Sequence, residues 1–401
     1  MSANSGLERY RSLALHWLVL LFPIVQLLDV TRILPGAEVV SSLSKAFYSF
    51  GVVFVFVLLF RGKGVRFLLT SGSYSVYLIL SFLSLLWCVE YPRTLLALAG
   101  LLSVSILGLL CLRMDRLSFC RALLIGCDFI VVASTVAYLL GIGESVLFLQ
   151  GVERLTGVTY GPHALARAAG VSLMLRLSLL YLGNKTNLFR LFFVILCYCF
   201  VIYKTDSRQV YAAVLLCLFI IWLFSANLYK KLQSVYVAML FVLILMFVFV
   251  DYSALFEHLT EAMARSESDS VTTLTGRTDI WEIALQKILE SPVLGYGFHN
   301  GGLIISSEFE TDYGWTTESA HNVFLQASLD LGLLGAFVLI VIMVRALYLS
   351  LIQRDALMIA FSLFVIIMGL VERSVAGAPG FLNLLLVYSF FHASMCQFKI
   401  K

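Results

Sequence analysis

Three residues far apart in the sequence have side chains suited to reaction of a phosphorylated substrate. Arg208 and Arg277 each lie where an apolar or amphipathic helix is predicted to begin, and His321 opens a later apolar run. Guanidinium groups bind phosphate oxygens through paired N–H donors, and helix N-termini add backbone N–H groups. Imidazole exchanges a proton near neutral pH. Together they could deprotonate an attacking hydroxyl group and stabilise a departing pyrophosphate.

The same residue types also have simpler explanations. A single Arg at the end of a membrane span is typical of a headgroup anchor, and a single His there is typical of a satisfied interfacial residue. His163 could bind a sugar hydroxyl or cap a helix, and the pair Glu372-Arg373 could be a local ion pair. The possible secondary site residues are Arg154, His163, Arg167, Asn322 and Arg373.

Metal and nucleotide-sugar chemistry are not indicated by the sequence. Glu308, Glu310 and Asp312 alternate as the ligands of a hard cation could, but they are better explained as an acidic solvated loop. Cys197-x-Cys199 lies within an apolar run and has no metal-ligand spacing. The chain contains no Asp-x-Asp pair of the kind that nucleotide-sugar transferases use. We therefore predict a site without metal or other cofactor.

Composition decides which elements position these residues. The chain is 61% hydrophobic and 13% charged, whereas soluble domains have about 25% charged residues. Lipid must therefore solvate most of it, and we predict an all-α polytopic membrane protein whose residues 1–401 form one transmembrane domain. The twelve predicted spans lie near residues 13–31, 46–60, 69–88, 94–112, 122–142, 164–183, 189–203, 209–228, 234–251, 321–344, 356–371 and 381–397.

The charge distribution predicts the orientation of these spans. With both termini cytoplasmic, the inner segments hold 16 basic and three acidic residues, as the positive-inside rule requires of a bacterial inner-membrane protein. The one long loop, 252–320, is then periplasmic and holds 11 acidic and three basic residues. This topology places all three residues described first at the periplasmic surface.

The long loop is predicted to contain an amphipathic helix that ends at Ser291-Pro292. Such a helix would lie on the membrane interface or pack across the ends of the spans, with Thr278 or Asp279 as its cap. Its apolar face is predicted to comprise Trp281, Ala284, Leu285, Ile288 and Leu289, and its polar face Asp279, Glu282, Gln286 and Glu290.

The order of the short motifs resembles that of the O-antigen ligase and polymerase family. These motifs are Ser207-Arg208, Gly276-Arg277-Thr278-Asp279-Ile280-Trp281, Ser291-Pro292-Val293-Leu294-Gly295-Tyr296-Gly297 and His321-Asn322. The last motif is followed nine residues later by Gly332-Leu333-Leu334-Gly335, a spacing similar to the signature of lipopolysaccharide O-antigen ligases. The position of His163, where the family often has Asn, departs from the pattern.

The resemblance implies a glycosyltransferase that acts on the periplasmic face of the membrane. Its donor would be a glycan linked to undecaprenyl diphosphate, its acceptor lipid A-core, and no nucleic acid would be involved. The resemblance also implies that Arg208 and Arg277 bind the substrate diphosphate and that His321 is the catalytic base. Direct attack by the acceptor hydroxyl implies inversion at the anomeric carbon.

The glycine motif has a physical interpretation of its own. If His321 begins a continuous helix, Gly332 lies three turns along the same face, about 16 Å deeper. We expect Gly332 and Gly335 to let a neighbouring helix approach closely, and Asp330 to be a buried hydrogen-bonding partner or a contributor to the site.

The leading hypothesis is an O-antigen ligase. The alternative enzyme is an O-antigen polymerase that extends lipid-linked repeats, but such enzymes commonly have two large outer loops. A transporter or flippase is a further alternative, disfavoured because the unusual charges lie at the outer surface and no internal repeat is visible. The last alternative is a structural or assembly role without catalysis.

Overall fold

The computed structural model describes residues 2–32, 36–60, 68, 71–149, 152–181, 188–224, 277–310, 316–373, 375 and 380–400. The predicted span 234–251 and the first part of the long loop, 252–276, lie outside these residues. The described part of the chain is mainly α-helical. Its helices are α1 Ser2–Leu27, α2 Glu38–Phe60, α3 Ser73–Leu83, α4 Tyr91–Cys111, α5 Arg116–Leu140, α6 Pro162–Tyr181, α7 Leu188–Lys204, α8 Arg208–Phe224, α9 Arg277–Glu290, α10 Gly301–Glu308, α11 Val323–Ile352, α12 Ala356–Val371 and α13 Phe381–Ile400.

The helices have the length and apolarity of a membrane protein. Six of them, all or most of α1, α2, α4, α5, α6 and α11, are long and apolar enough to cross a bilayer, and five shorter apolar helices accompany them. Each of the eleven predicted spans that falls on described residues overlaps an α-helix. The helical class of membrane protein is thus confirmed, whereas the total of twelve spans stays a prediction.

Small residues bring several of these helices close together. A Cβ atom at Gly126 of α5 would lie 2.1 Å from the Leu20 carbonyl oxygen of α1, and one at Gly170 of α6 would lie 2.7 Å from Val214 of α8. Outward-facing side chains are apolar as well: Phe47 and Phe50 of α2 are more than two-thirds exposed. A core with an apolar exterior is the arrangement that lipid favours.

One short β-hairpin interrupts the helical pattern and was not predicted. Strands β1 (Val146–Leu149) and β2 (Val152–Leu155) pair antiparallel, with Val146 opposite Leu155. The hairpin joins α5 to α6. Arg154 on β2 is buried, and its guanidinium group anchors the hairpin to the turn before α8.

Helix α11 differs from the continuous helix predicted from His321. It begins at Val323, with Asn322 as its N-cap, and is broken at Leu331 and Gly332, where Gly332 has φ 68°. A Cβ atom at Gly332 would lie 2.1 Å from the Val293 carbonyl oxygen. Gly332 therefore admits the segment after α9, not a neighbouring helix, and the predicted three-turn alignment with His321 was wrong.

The segment after α9 is tied to this break by its backbone. The Tyr296 and Gly297 amides donate to the carbonyl oxygens of Leu329 and Asp330, at 2.8 and 2.9 Å. The Gly301 amide donates to Asp330 Oδ1 at 2.7 Å, which confirms Asp330 as a buried hydrogen-bonding partner. These bonds satisfy main-chain groups that a broken helix would otherwise leave unpaired.

Helix α9 is found where it was predicted, but it is rotated relative to the predicted apolar face. Its buried residues are Ile280, Ala284 and Ile288, whereas Leu285 and Leu289 are 53% and 79% exposed. The helix packs on α11 and α10. Because it begins at Arg277, Thr278 and Asp279 lie in its first turn and not at its cap.

Candidate functional site

The candidate site is formed where five helices begin or end at one end of the bundle. His163 and Arg167 come from the first turns of α6, and Gln209 from the start of α8. Arg277 is the first residue of α9, His321 precedes α11, and Glu372 follows α12. Helix termini carry polar side chains and backbone groups that make no hydrogen bond within the helix. The positions of the apolar helices therefore determine where the polar residues of the site meet.

Glu372 is the residue that joins these elements. Its Oε1 accepts a hydrogen bond from Gln209 Nε2 at 3.2 Å and lies 3.9 Å from His163 Nε2. Its Oε2 lies 3.8 Å from Arg167 Nη1, and only 13% of its side chain is exposed. The carboxylate therefore holds groups from α6, α8 and α12 together.

The charge state of Glu372 follows from its neighbours. Burial raises its pKa, but the neighbouring basic side chains together lower the pKa by more, so the net shift is downward and the carboxylate is ionised at neutral pH. These groups are, in order of effect, Arg167, His163, His321 and Arg277. The negative charge of Glu372 therefore offsets positive charge of the neighbouring arginines, Arg167 and Arg277.

His163 is held through its Nδ1 atom. Ser207 Oγ lies 2.7 Å from its Nδ1, and Gln209 Nε2 donates to the same atom at 3.1 Å. With Nδ1 accepting from Gln209, the ring proton lies on Nε2, toward Glu372. His163 is thus a fixed member of the polar cluster, and its two predicted roles, binding a sugar hydroxyl or capping a helix, stay predictions.

Arg167 is the most deeply buried cation of the cluster. Its side chain is 4% exposed, and its Nη2 donates to Tyr160 Oη at 2.8 Å. Tyr160 itself is 51% exposed, so the hydrogen bond joins a buried guanidinium group to a residue at the surface. A buried guanidinium needs its counter-charge, and Glu372 supplies it.

His321 has the conformation and environment of a strained functional residue. Its φ is 47°, a region that residues other than Gly rarely adopt and that costs about 1–3 kcal/mol. Burial lowers its pKa, Arg277 and Arg373 lower it further, and Glu372 opposes them, so the ring is neutral at pH 7. Its Nδ1 is buried without a hydrogen-bond partner among the described residues.

Side chains from other elements hold the backbone in front of His321. Trp281 Nε1 of α9 donates to the Ala320 carbonyl oxygen at 2.8 Å, and Gln326 Oε1 accepts from the Ala320 amide at 3.2 Å. The His321 amide itself donates to Ser319 Oγ at 3.1 Å. The strained conformation is thus fixed from outside the residue.

Arg277 and His321 are brought into one electrostatic environment. Each acts on the ionisation of Glu372, and Arg277 lowers the pKa of His321. One turn after Arg277, the Trp281 contact joins α9 to the segment that carries His321. The fold therefore brings the predicted base within electrostatic reach of one of the two predicted diphosphate-binding arginines.

Arg208 lies at the edge of this cluster. Its Nε is 4.0 Å from Asp206 Oδ1, and half of its side chain is exposed. The residues on either side of it, Ser207 and Gln209, both bind His163. Its backbone therefore belongs to the site, while its guanidinium group faces outward.

Three of the possible secondary residues make hydrogen bonds with backbone groups. Arg154 donates to the Thr205 and Asp206 carbonyl oxygens, at 3.1 and 3.2 Å. Asn322 Oδ1 accepts from the amides of Phe324 and Leu325, and Arg373 Nη1 donates to the Glu318 carbonyl oxygen. These side chains position the turns that carry Ser207, Arg208 and His321.

The local ion pair expected of Glu372 and Arg373 was wrong. Glu372 faces Gln209 and Arg167, whereas Arg373 binds the backbone at Glu318. The Glu318 carboxylate is in turn held by Arg93, at 2.6 and 3.2 Å. Neighbouring side chains that follow an extended residue point in different directions, as these do.

Gln209 is a member of the cluster that the sequence analysis missed, and Glu372 was considered there only as a partner of Arg373. Glu372 is the one acidic residue in 356–401 and stands directly after an apolar helix, which could have marked it. Gln209 carries no such signal. Its role depends on contacts with residues distant in the sequence.

The alternating carboxylates of the long loop do not form a metal site in the part that can be described. Glu308 pairs with Lys287 Nζ at 2.8 Å, and Glu310 forms a β-bridge with Thr316. Asp312 lies outside the described residues. Across the described ranges, no three His, Cys, Asp or Glu side chains are grouped as metal ligands.

Comparison with known proteins identifies the segment that carries most of these residues. Residues 191–340 match the O-antigen ligase family. The match confirms the resemblance indicated by the motifs, and it contains Arg208, Arg277 and His321. His163, Arg167 and Glu372 lie outside the matched segment. Their proximity to residues of that segment is shown by the tertiary structure. A search of curated proteins gave no match.

Proposed function

We propose that this protein is an O-antigen ligase of the bacterial inner membrane. It transfers a glycan from undecaprenyl diphosphate to a sugar hydroxyl of lipid A-core, on the periplasmic face. One observation carries the proposal: the segment that matches the family supplies Arg277 and a neutral, strained His321, both held near one ionised carboxylate. The family match by itself supports O-antigen processing by a ligase or a polymerase.

The proposed reaction is a direct displacement at the anomeric carbon. His321 removes the proton of the acceptor hydroxyl as its oxygen attacks the anomeric carbon of the lipid-linked glycan. The bond from that carbon to the diphosphate oxygen breaks, and undecaprenyl diphosphate departs with the bonding electrons. One displacement inverts the anomeric configuration and requires no cofactor.

The residues around the reacting atoms have distinct tasks in this proposal. Arg277 stabilises the charge that develops on the leaving diphosphate, and the positive end of the α9 helix dipole adds to this effect. Arg208, at the edge, binds the same diphosphate once its pair with Asp206 opens. Glu372 stabilises the imidazolium that forms when His321 accepts the proton.

Reconstitution with two acceptors tests the proposal against polymerisation. Purified protein in vesicles would receive a lipid-linked glycan together with either lipid A-core or a second lipid-linked repeat unit. We expect product on lipid A-core only. Product on the lipid-linked repeats alone would identify a polymerase, and no product on either acceptor would contradict both.

The acidic limb of the pH–rate profile is expected below the ordinary pKa of histidine, about 6.5. His321 must be neutral to act as a base, and burial together with Arg277 and Arg373 lowers its pKa. The rate of transfer should therefore stay constant as the pH falls from 7 to about 6.5 and should decrease only below about 6.5. Initial rates across this range measure the limb, and a limb at or above the ordinary value would contradict a depressed pKa.

Replacing Glu372 by Gln is expected to reduce transfer about tenfold to a hundredfold, because the groups it holds lose their common partner. Its negative charge raises the pKa of His321, so its removal should also move the acidic limb to lower pH. Glu153→Gln, an exposed carboxylate on β2, is the matched control. Unchanged rate and unchanged limb in Glu372→Gln would contradict its role as the organising residue.

A further inference from the structure

A strip of exposed apolar side chains runs along α9 and continues onto the outer side of α11. We define this apolar strip by its seven most exposed members. On α9 and the turn after it they are Leu285, Leu289, Val293 and Leu294, exposed by 53%, 79%, 66% and 50%. On α11, beyond its break, they are Leu333, Leu334 and Phe337, exposed by 56%, 48% and 61%. A contiguous apolar surface of this kind marks an interaction site.

The two parts of the strip are fixed at the same level. The Leu333 amide donates to the Pro292 carbonyl oxygen at 2.8 Å, which places Val293 and Leu294 beside the break in α11. Trp87 Nε1 donates to the Leu294 carbonyl oxygen at 3.0 Å. The strip is therefore continuous with the surface of a helix that is long and apolar enough to cross a membrane.

The length of α11 indicates where the membrane begins. Its part after the break, Gly332–Ile352, is about 31 Å long at 1.5 Å per residue, which equals the hydrocarbon thickness of a bilayer, about 30 Å. The part before the break, Val323–Leu331, adds about 14 Å and is not needed to cross it. Helix α9 lies beside this outer part, since its Trp281 binds Ala320 and the following Pro292 binds Leu333.

We propose that the apolar strip is immersed in the lipid leaflet on the site side. Its α11 part lies in the acyl chains, and its α9 part, beside the outer part of α11, lies in the interfacial region just above the hydrocarbon boundary near Gly332. Apolar side chains gain by leaving water, and helices with one apolar edge insert that edge at the interface. The other exposed edge of α9 is polar, with Glu282, Gln286 and Glu290, as such an orientation requires. Helix α9 then descends from the site into lipid, with Arg277 at its upper end.

This inference concerns depth in the membrane and does not rest on glycosyl transfer. If the proposed function also holds, His321, which precedes α11, stands above the hydrocarbon boundary by about the length of the outer part of α11, at or just beyond the lipid headgroups. The diphosphate of a lipid carrier lies at that level. The strip thus sets the height of the site relative to its substrate.

Fluorescence quenching in vesicles tests the immersion directly. A genetically encoded fluorescent amino acid replaces Leu289 in the full chain, and in a matched control it replaces Gln286, which is on the same helix and also exposed. Neither change removes a packed side chain. The protein is reconstituted in phosphatidylcholine vesicles that contain lipids with a nitroxide high on the acyl chain, and iodide serves as the aqueous quencher.

We expect the nitroxide lipids to quench position 289 several-fold more than position 286, and iodide to show the reverse order. Equal quenching of both positions by iodide would place the strip in water and overturn the proposal. Protection of position 289 from both quenchers would show that protein covers it, and would overturn the proposal too. The same measurement at Leu285 gives a second reading that is independent of residue 289.

Discussion

Replacement of His321 by Ala is expected to reduce glycan transfer by about a hundredfold to ten-thousandfold, the range that a general base contributes. The ring is neutral at pH 7, and its Nδ1 has no hydrogen-bond partner among the described residues, so little of the loss should come from unfolding. Transfer of lipid-linked glycan to lipid A-core, together with thermal unfolding of the purified variant, measures both effects.

Two further variants separate catalysis from backbone strain. Asn tolerates positive φ better than most residues, so His321→Asn keeps the conformation while removing the base. It should be as inactive as His321→Ala. His16→Ala on α1 should transfer glycan normally. Substantial activity in both His321 variants would remove the residue from the mechanism.

Replacement of Arg277 by Lys is expected to reduce transfer about a hundredfold, the size of the loss when one group that stabilises developing charge is removed. Lysine keeps the positive charge but lacks the planar fork that binds two phosphate oxygens at once. The charge on the departing diphosphate develops in the transition state, so kcat should fall more than the donor KM rises.

The control for this change is Arg11→Lys, an exposed arginine on α1. It should leave both kinetic constants unchanged. If Arg277→Lys behaved in the same way, the start of α9 could not be the diphosphate site. A rise in donor KM with unchanged kcat would restrict Arg277 to binding the ground state.

The sequence predicted the helices because their signals are local. Apolar runs near the length of a bilayer, separated by charged turns, require only the neighbouring residues to be interpreted. The amphipathic helix was found at Arg277–Glu290 for the same reason. The break at Gly332 was missed because it depends on Val293, which packs against it from another segment.

The site, like the helices, has features that the local sequence predicts and features that depend on tertiary contacts. The residue types of Arg208, Arg277 and His321, and their order in the chain, indicate phosphate chemistry without reference to the fold. That Arg277 and His321 share one environment, while Arg208 lies paired with Asp206 at its edge, depends on how the helix ends meet.

The amino-acid sequence by itself therefore determined that lipid surrounds most of this protein, where its helices lie and which chemical groups it carries. These features depend on composition and on periodicity within a few helical turns. Only the tertiary structure decided that Glu372 would gather groups from α6 and α8 and that Leu289 would face outward. The physical reason is that a buried carboxylate is stabilised by the charged groups packed around it. A leucine side chain is stabilised by apolar surroundings, which either protein or lipid can provide. Both are supplied by parts of the fold remote in sequence.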